Sequence, residues 1–259
     1  MTNPRFNHRQ QLKRLGRLGP TLLSSLFFLL VLIGLMWFSG TVHSQVLEDP
    51  TIFDDDLNLS NGISLRQAII TANEIEGHNT IVLDAGTYTL TMAGGGENSA
   101  EKGDLDIVGE LTIEGQGAGE TIINGNEIDR VFDVLGGSAL TITKVTIKNG
   151  DNNPDGGGIH SDGSLIVKDV VFYNNNSNSG GGILSNGPLI VENSTFAFNS
   201  GSSGGGIYHL SGEARVSGST FMSNTAYGND GGGIVSVGAP CGSLTAPFQG
   251  IAHPSPEAD

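Results

Sequence analysis

From residue 80 to residue 237 the apolar residues come in short runs that alternate with polar ones, the period-two pattern of half-buried strands, and no 3.6-residue period competes with it. The runs repeat. The tetrapeptide GGGI occurs four times, ending at Ile159, Ile183, Ile207 and Ile234, so the spacings are 24, 24 and 27 residues. After each of the first three copies come a polar turn and a first run containing Leu165 and Val167, Leu189 and Val191, or Ala214 and Val216. A second run follows, closing on Phe172, Phe196 or Phe221. Residues 140–142 with 145–147 fit the same frame, and residues 111–113 with 121–123 fit it less regularly. The unit is therefore three strands of three to five residues in about 24 residues, separated by turns.

Strands this short cannot bury their inward faces alone, so stacking must do it. If each unit makes one coil, the four GGGI isoleucines lie above one another at about 4.8 Å per coil. So do Phe172, Phe196 and Phe221, and so do Leu165, Leu189 and Ala214. The expected fold is all-β: a single-stranded, right-handed parallel β-helix of about seven coils. Three residues after each stacked phenylalanine stands an asparagine (Asn175, Asn199, Asn224), the spacing of an amide ladder at a turn. The glycine triplets meet a corner that needs positive φ or close backbone approach. Glycine does not fall at every third residue, which removes a collagen-like reading.

A solenoid needs caps at its ends. At the N-terminal end Ser64 and Gln67 have capping-box spacing, and Leu65, Ala68, Ile69 and Ala72 share one helical face, which predicts a short lid helix. The first coil begins at residues 80–83 and continues at 87–90, and residues 92–102 read as a loop thrown out from it. After Val237 the alternation stops, and residues 239–259 hold four of the nine prolines and the single cysteine, Cys241. The expected division is 1–44 leader, 45–79 cap region, 80–237 β-helix and 238–259 irregular tail. An uncapped last coil is an exposed apolar edge, so the tail reads as truncated or frame-shifted relative to a longer parent.

Composition sharpens this picture at two points. Glycine is 40 of 259 residues, as a repeated corner demands. Five of the 12 lysines and arginines (Arg5, Arg9, Lys13, Arg14, Arg17) precede residue 20, and no acid occurs before Glu48, so 7 basic residues face 27 acidic ones from residue 45 onward. A body at −20 repels phosphate backbones and excludes nucleic acid as a partner. The basic N-terminal stretch leads into 18 uncharged residues from Thr21 to Phe38. That is a secretory signal, cleaved after Ser44, or a signal anchor if uncleaved, and then the only membrane contact. Both readings place the acidic remainder outside the cytoplasm, exported by the Sec route to the extracellular space or the cell surface, outer membrane included. One cysteine gives neither a disulfide framework nor a zinc site.

The stretch from Gly62 to Ile69 (GISLRQAI), residues 79–83, 85–90, 103–107 and 111–119, and Asp129 to Phe132 together resemble the N-terminal region of bacterial surface proteins carrying the CSLREA-type domain. The GGGI units with their F-x-x-N endings resemble the repeats of chlamydial polymorphic outer membrane proteins, so the two resemblances span about residues 50–237. Where the first motif has Cys and Glu, this chain has Ile63 and Gln67. The resemblance implies a secreted or surface-exposed β-helical passenger with an adhesive or display role, and no reaction.

Parallel β-helices also carry polysaccharide lyases, pectin esterases and polygalacturonases, so the catalytic question rests on side chains. A calcium-dependent lyase wants clustered carboxylates and a basic residue on one outward face. Asp104 and Asp106, two apart on a predicted strand, with Arg130 or Lys102 near, are the only candidates; the plainer expectation is two solvated carboxylates on an outer sheet. A surface at −20 is also a poor host for a uronic-acid polymer. The acid run Asp54, Asp55 and Asp56 is expected to be solvated, with weak Ca²⁺ binding there or at the clusters around Asp151 and Asp230 as the sole cofactor reading. His160 and His209 follow GGGI corners and are expected on one turn face, two coils and about 10 Å apart, too far for one metal. No metal ligand or cofactor-binding residue is assigned. The leading expectation is a non-catalytic adhesin-like protein binding a host or matrix surface or an extracellular polysaccharide. Its outward residues, mostly Thr, Ser, Asn and Lys, offer no aromatic platform. The rival is an extracellular polysaccharide lyase or hydrolase.

Overall fold

The computed structural model describes residues 45–228 and 231–237 together with two short strands, Leu244–Thr245 and Phe248–Gln249. The leader, its cleavage point, Cys241 and the pair Asn229 and Asp230 lie outside the described residues. The strands run parallel and join into sheets of eight, seven, six and four members. Successive members of a sheet come from successive repeats, which makes the chain a parallel β-solenoid.

The register is the one that the repeat spacing demands. Ile159 pairs with Ile183, Ile183 with Ile207 and Ile207 with Ile234. Leu165, Leu189 and Ala214 align, as do Phe172, Phe196 and Phe221. The three phenylalanine rings stack nearly parallel, with centroids 4.6 and 4.7 Å apart, the coil-to-coil distance. Inward residues of all these strands form one continuous buried core. The amide ladder is present: Asn175 Nδ2 donates to Asn199 Oδ1 at 2.9 Å, and Asn199 Nδ2 donates to Asn224 Oδ1 at 3.0 Å.

The triplet divides its work between conformation and space. Gly156, Gly180 and Gly204 turn the corner at φ 66°, 65° and 59°. A Cβ on the third glycine would meet the next coil's carbonyl oxygen at 2.5 Å for Gly158 and 2.6 Å for Gly182, and the stacked phenylalanine ring behind it. Glycine there is what lets the ring lie flat against the backbone.

Two features depart from expectation. Four of the coils carry more than three strands, because the polar run after the seven-stranded sheet's strand also pairs, in a four-stranded sheet of Asp151–Asp155, Asn176–Ser179, Ser200–Gly201 and Thr225–Ala226. Beyond Val237, Leu244–Thr245 pairs with Val216 and Ser217, and Phe248–Gln249 pairs with Phe221 and Met222. The segment read as an irregular tail thus extends two sheets by one strand each; a phenylalanine at position 248 continues the 221 register without a GGGI signal upstream in frame.

At the other end helix α1 (Leu65–Glu74) begins with the capping box: Gln67 N donates to Ser64 Oγ, and Ser64 N donates to Gln67 Oε1. Its buried face, Leu65, Ala68, Ile69 and Ala72, joins the core and closes the end of the solenoid. Asn79 Nδ2 donates to the carbonyls of Ala72 and Ile75, fixing the helix end to the strand His78–Val82, on which the short strand Gln45–Val46 pairs in parallel. No helix among the described residues is long and apolar enough to cross a membrane.

Candidate functional site

The six-stranded sheet places one outward residue per coil in a single ladder. Each of its strands is three residues long, and the flanking residues point inward, so the middle one points out. Read along the axis these are Asp106, Asp133, His160, Leu184, Tyr208 and Val235. The first rung is not solvated. The loop at residues 92–103 and helix α1 fold over it: Ala100 N donates to Asp106 Oδ2 at 2.8 Å, and Asn73 Nδ2 donates to the Asp106 carbonyl. Asp104 is 6% exposed and Asp106 is 0% exposed, which corrects the expectation of two solvated carboxylates.

The structure does bring Asp104 and Asp106 together, and it adds Asp133, which the sequence reading missed. One carboxylate oxygen from each of the three lies within 4.8 Å of the others. Arg130, not Lys102, is the cation beside them: its Nε is 3.1 Å from Asp104 Oδ2 and its Nη1 is 3.5 Å from Asp133 Oδ2. His160 Nδ1 is 2.8 Å from Asp133 Oδ1. Burial, then the charges of Asp106 and Asp129, push the Asp104 carboxyl up to about 8 against the pull of Arg130. Burial also lifts Asp106 to about 6, although the Ala100 amide pulls it down.

Two further expectations are corrected. His160 and His209 occupy alternate positions on their strands, so they face opposite ways: His160 sits in the outward ladder, whereas His209 aligns with Ser161 and Ser185 and is buried. Nor is the run Asp54 to Asp56 merely solvated. Asp55 makes a buried two-pronged pair with Arg66, at 2.6 and 3.1 Å, and Asp56 accepts from Asn58 N and Asn61 Nδ2.

A second feature lies on the edge of the seven-stranded sheet. The corner residue after four consecutive strands of this sheet has φ near +55°: Asn149 53°, Asn174 54°, Phe198 57° and Ser223 53°. Asparagine suits this region, and here it also builds an outer ladder, Asn174 Nδ2 to Asn149 Oδ1 and Asn149 Nδ2 to Asn124 Oδ1, each 2.9 Å. Phe198 interrupts it. Its ring is 53% exposed and meets that of Tyr173, 44% exposed, edge to face at 5.6 Å. Met222, 40% exposed, is in register with Ala197, the neighbour of Phe198, and with Tyr173 one coil further back. An aromatic platform exists after all. The sequence signal was one repeat of spacing, 25 residues between Tyr173 and Phe198, but at different offsets from the stacked phenylalanine.

Comparison with protein-family models, with curated proteins and with solved structures gives no match for this chain. Its class is that of the parallel β-solenoids, and its function has to be argued from its own surface.

Proposed function

We propose that this chain is a secreted or cell-surface β-helical protein that works by binding rather than catalysis, and that the edge formed by Tyr173, Phe198 and Met222 contacts an extracellular polysaccharide. The observation that carries the reading is Phe198: a bulky aromatic residue held half-exposed in left-handed backbone, where its repeat-mates are Asn or Ser. Such a conformation disfavours phenylalanine by about 1–2 kcal/mol relative to ordinary backbone, and strain of this kind collects at functional positions. Two aromatic faces at an edge-to-face angle with an adjacent thioether offer an apolar, adaptable surface to the C–H faces of sugar rings. The acidic body repels uronic and sulfated chains, so the polymer is a neutral one. The resemblance of residues 50–237 to surface-protein repeats supports the same assignment, as does the basic and apolar leader.

The test is affinity electrophoresis of the protein through gels containing neutral polymers such as galactomannan, xyloglucan and a soluble β-glucan, beside pectate, alginate and chondroitin sulfate. Retardation by a neutral polymer, lost in Tyr173→Ala and in Phe198→Asn, is the expected result. Retention of binding in both variants would remove the platform from the reading. In parallel, unsaturated products released from pectate or alginate in a calcium-dependent way, and lost in Asp104→Ala, would replace it with the lyase.

A further inference from the structure

The geometry points to a divalent-cation site at Asp104, Asp106 and Asp133, built to take a hard ion of the Ca²⁺ type and to lock the loop at residues 92–103 onto the first coils. An acidic cluster alone would not carry this. The added observation is Asp106: the residue is fully buried, its Oδ2 is taken by the Ala100 amide, and its Oδ1 has no hydrogen-bond partner. A buried carboxylate oxygen without a partner is destabilising, and a cation is the partner that the surrounding carboxylates suit. The other protein contacts leave that need unmet. Arg130 lies against Asp104 and Asp133, its Nε without hydrogen-bond alignment to any acceptor, and His160 takes Asp133 Oδ1.

Size and charge both fit. Calcium–oxygen distances of about 2.3–2.6 Å allow two ligands of one ion to be up to about 4.8–5 Å apart, so oxygens within that limit can share it. The three carboxylate oxygens do lie within 4.8 Å of one another. With all three carboxyls ionised, three negative charges stand against the Arg130 guanidinium, a net of two that one divalent ion offsets. The guanidinium also limits affinity, which places the dissociation constant in the range of extracellular calcium modules, about 10⁻⁴–10⁻³ M. The ligands come from two coils and from the foot of the loop, since Asp104 and Asp106 stand at and within the strand Leu105–Ile107, and Asp133 lies within Phe132–Val134. Filling the site would therefore tie the loop, the first coil and the second together.

The experiment uses the full chain in EGTA and in about 10 mM CaCl₂, by thermal unfolding and by isothermal titration with CaCl₂. A site of the stated affinity raises Tm by about 4–7 °C at that concentration. Asp106→Asn, which keeps an acceptor for the Ala100 amide, abolishes the rise, and so does Asp133→Asn. Should either variant fail to fold, the native chain still decides: calcium slows cleavage at exposed Lys102 by a lysine-specific protease at least several-fold. An unchanged Tm, no titration heat and unchanged cleavage in the native chain would overturn the site, as would a calcium response that survives in both variants.

Discussion

Phe198 is the residue at which local conformation and side-chain identity disagree most. Replacing it by Asn relieves about 1–2 kcal/mol of left-handed strain but gives up an edge-to-face contact with Tyr173 of about 0.5–1.5 kcal/mol. An asparagine there also extends the outer ladder from Asn174, a hydrogen bond of about 0.5–1.5 kcal/mol. The expected balance is a gain of about 1 kcal/mol in urea unfolding, accompanied by loss of polysaccharide retardation; a lowered midpoint would mean that Phe198 serves the corner and not a ligand. Gain in stability with loss of binding is the signature of a strained functional position. The same residue shows where sequence reading ran out. Strand alternation says which side chains leave the core, but φ at a corner is set by the path between sheets, and only the structure puts Tyr173 and Phe198 within 5.6 Å. Asp133 escaped for a related reason. Its strand precedes the first GGGI corner, so no repeat signal aligned it with Asp106, although both are the middle residue of an apolar-Asp-apolar triplet, Leu105 to Ile107 and Phe132 to Val134.

At the scale of the coil the sequence was far more legible, because a period in the chain becomes a distance in space. Spacings of 24 and 27 residues placed four isoleucines in one column, and the four pair in that register. What the period did not show was the fourth, four-stranded sheet, since runs of Asn and Ser carry no inward apolar signal and pair through their backbones. Two ladders test how the coil is held. Phe196 stacks between Phe172 and Phe221, so Phe196→Ala removes a buried ring and leaves a cavity, at a cost of about 3–5 kcal/mol. Asn199 accepts from Asn175 N and Nδ2 and donates to Asn224 Oδ1 and the Phe172 carbonyl. Asn199→Ala strands buried groups on both neighbouring coils and is expected to cost about 2–4 kcal/mol, comparable to the ring despite the smaller side chain. Lys168→Ala, which removes only an exposed pair with Glu192, is expected to cost under about 0.5 kcal/mol. Denaturant midpoints give all three, and an asparagine effect no larger than the lysine effect would show that water replaces the ladder without loss.

For the whole molecule the question is how a one-dimensional stack keeps its first coil from fraying, and the structure concentrates the answer in Arg66. Its guanidinium is fully buried, pairs with Asp55 through Nε and Nη2, and donates to the carbonyls of Ala100, Gly103 and Asp104. Asp55 in turn accepts from the amides of Thr91 and Met92. One ion pair thus joins the segment before the helix, helix α1, and both ends of the loop at residues 92–103. The planar fork matters, because a lysine ammonium has three donors for positions that the guanidinium reaches with a fixed geometry. Arg66→Met leaves the Asp55 carboxylate buried without its cation and three carbonyls without a donor, a loss of about 3–5 kcal/mol. In a solenoid each coil contacts only its neighbours, so the damage should be graded along the axis and not shared equally. Hydrogen exchange is expected to lose protection in His78–Val82, Gly86–Thr89 and Leu105–Ile107 while Ile183–Ser185 and the coils beyond keep theirs. Uniform loss across all sheets would instead mean that the stack unfolds as one unit, with the lid holding every coil and not only the first. Calcium separates these cases further, since an ion shared by Asp104, Asp106 and Asp133 would restore protection at Leu105–Ile107 before it restores the helix in the graded case, and in all sheets together in the other.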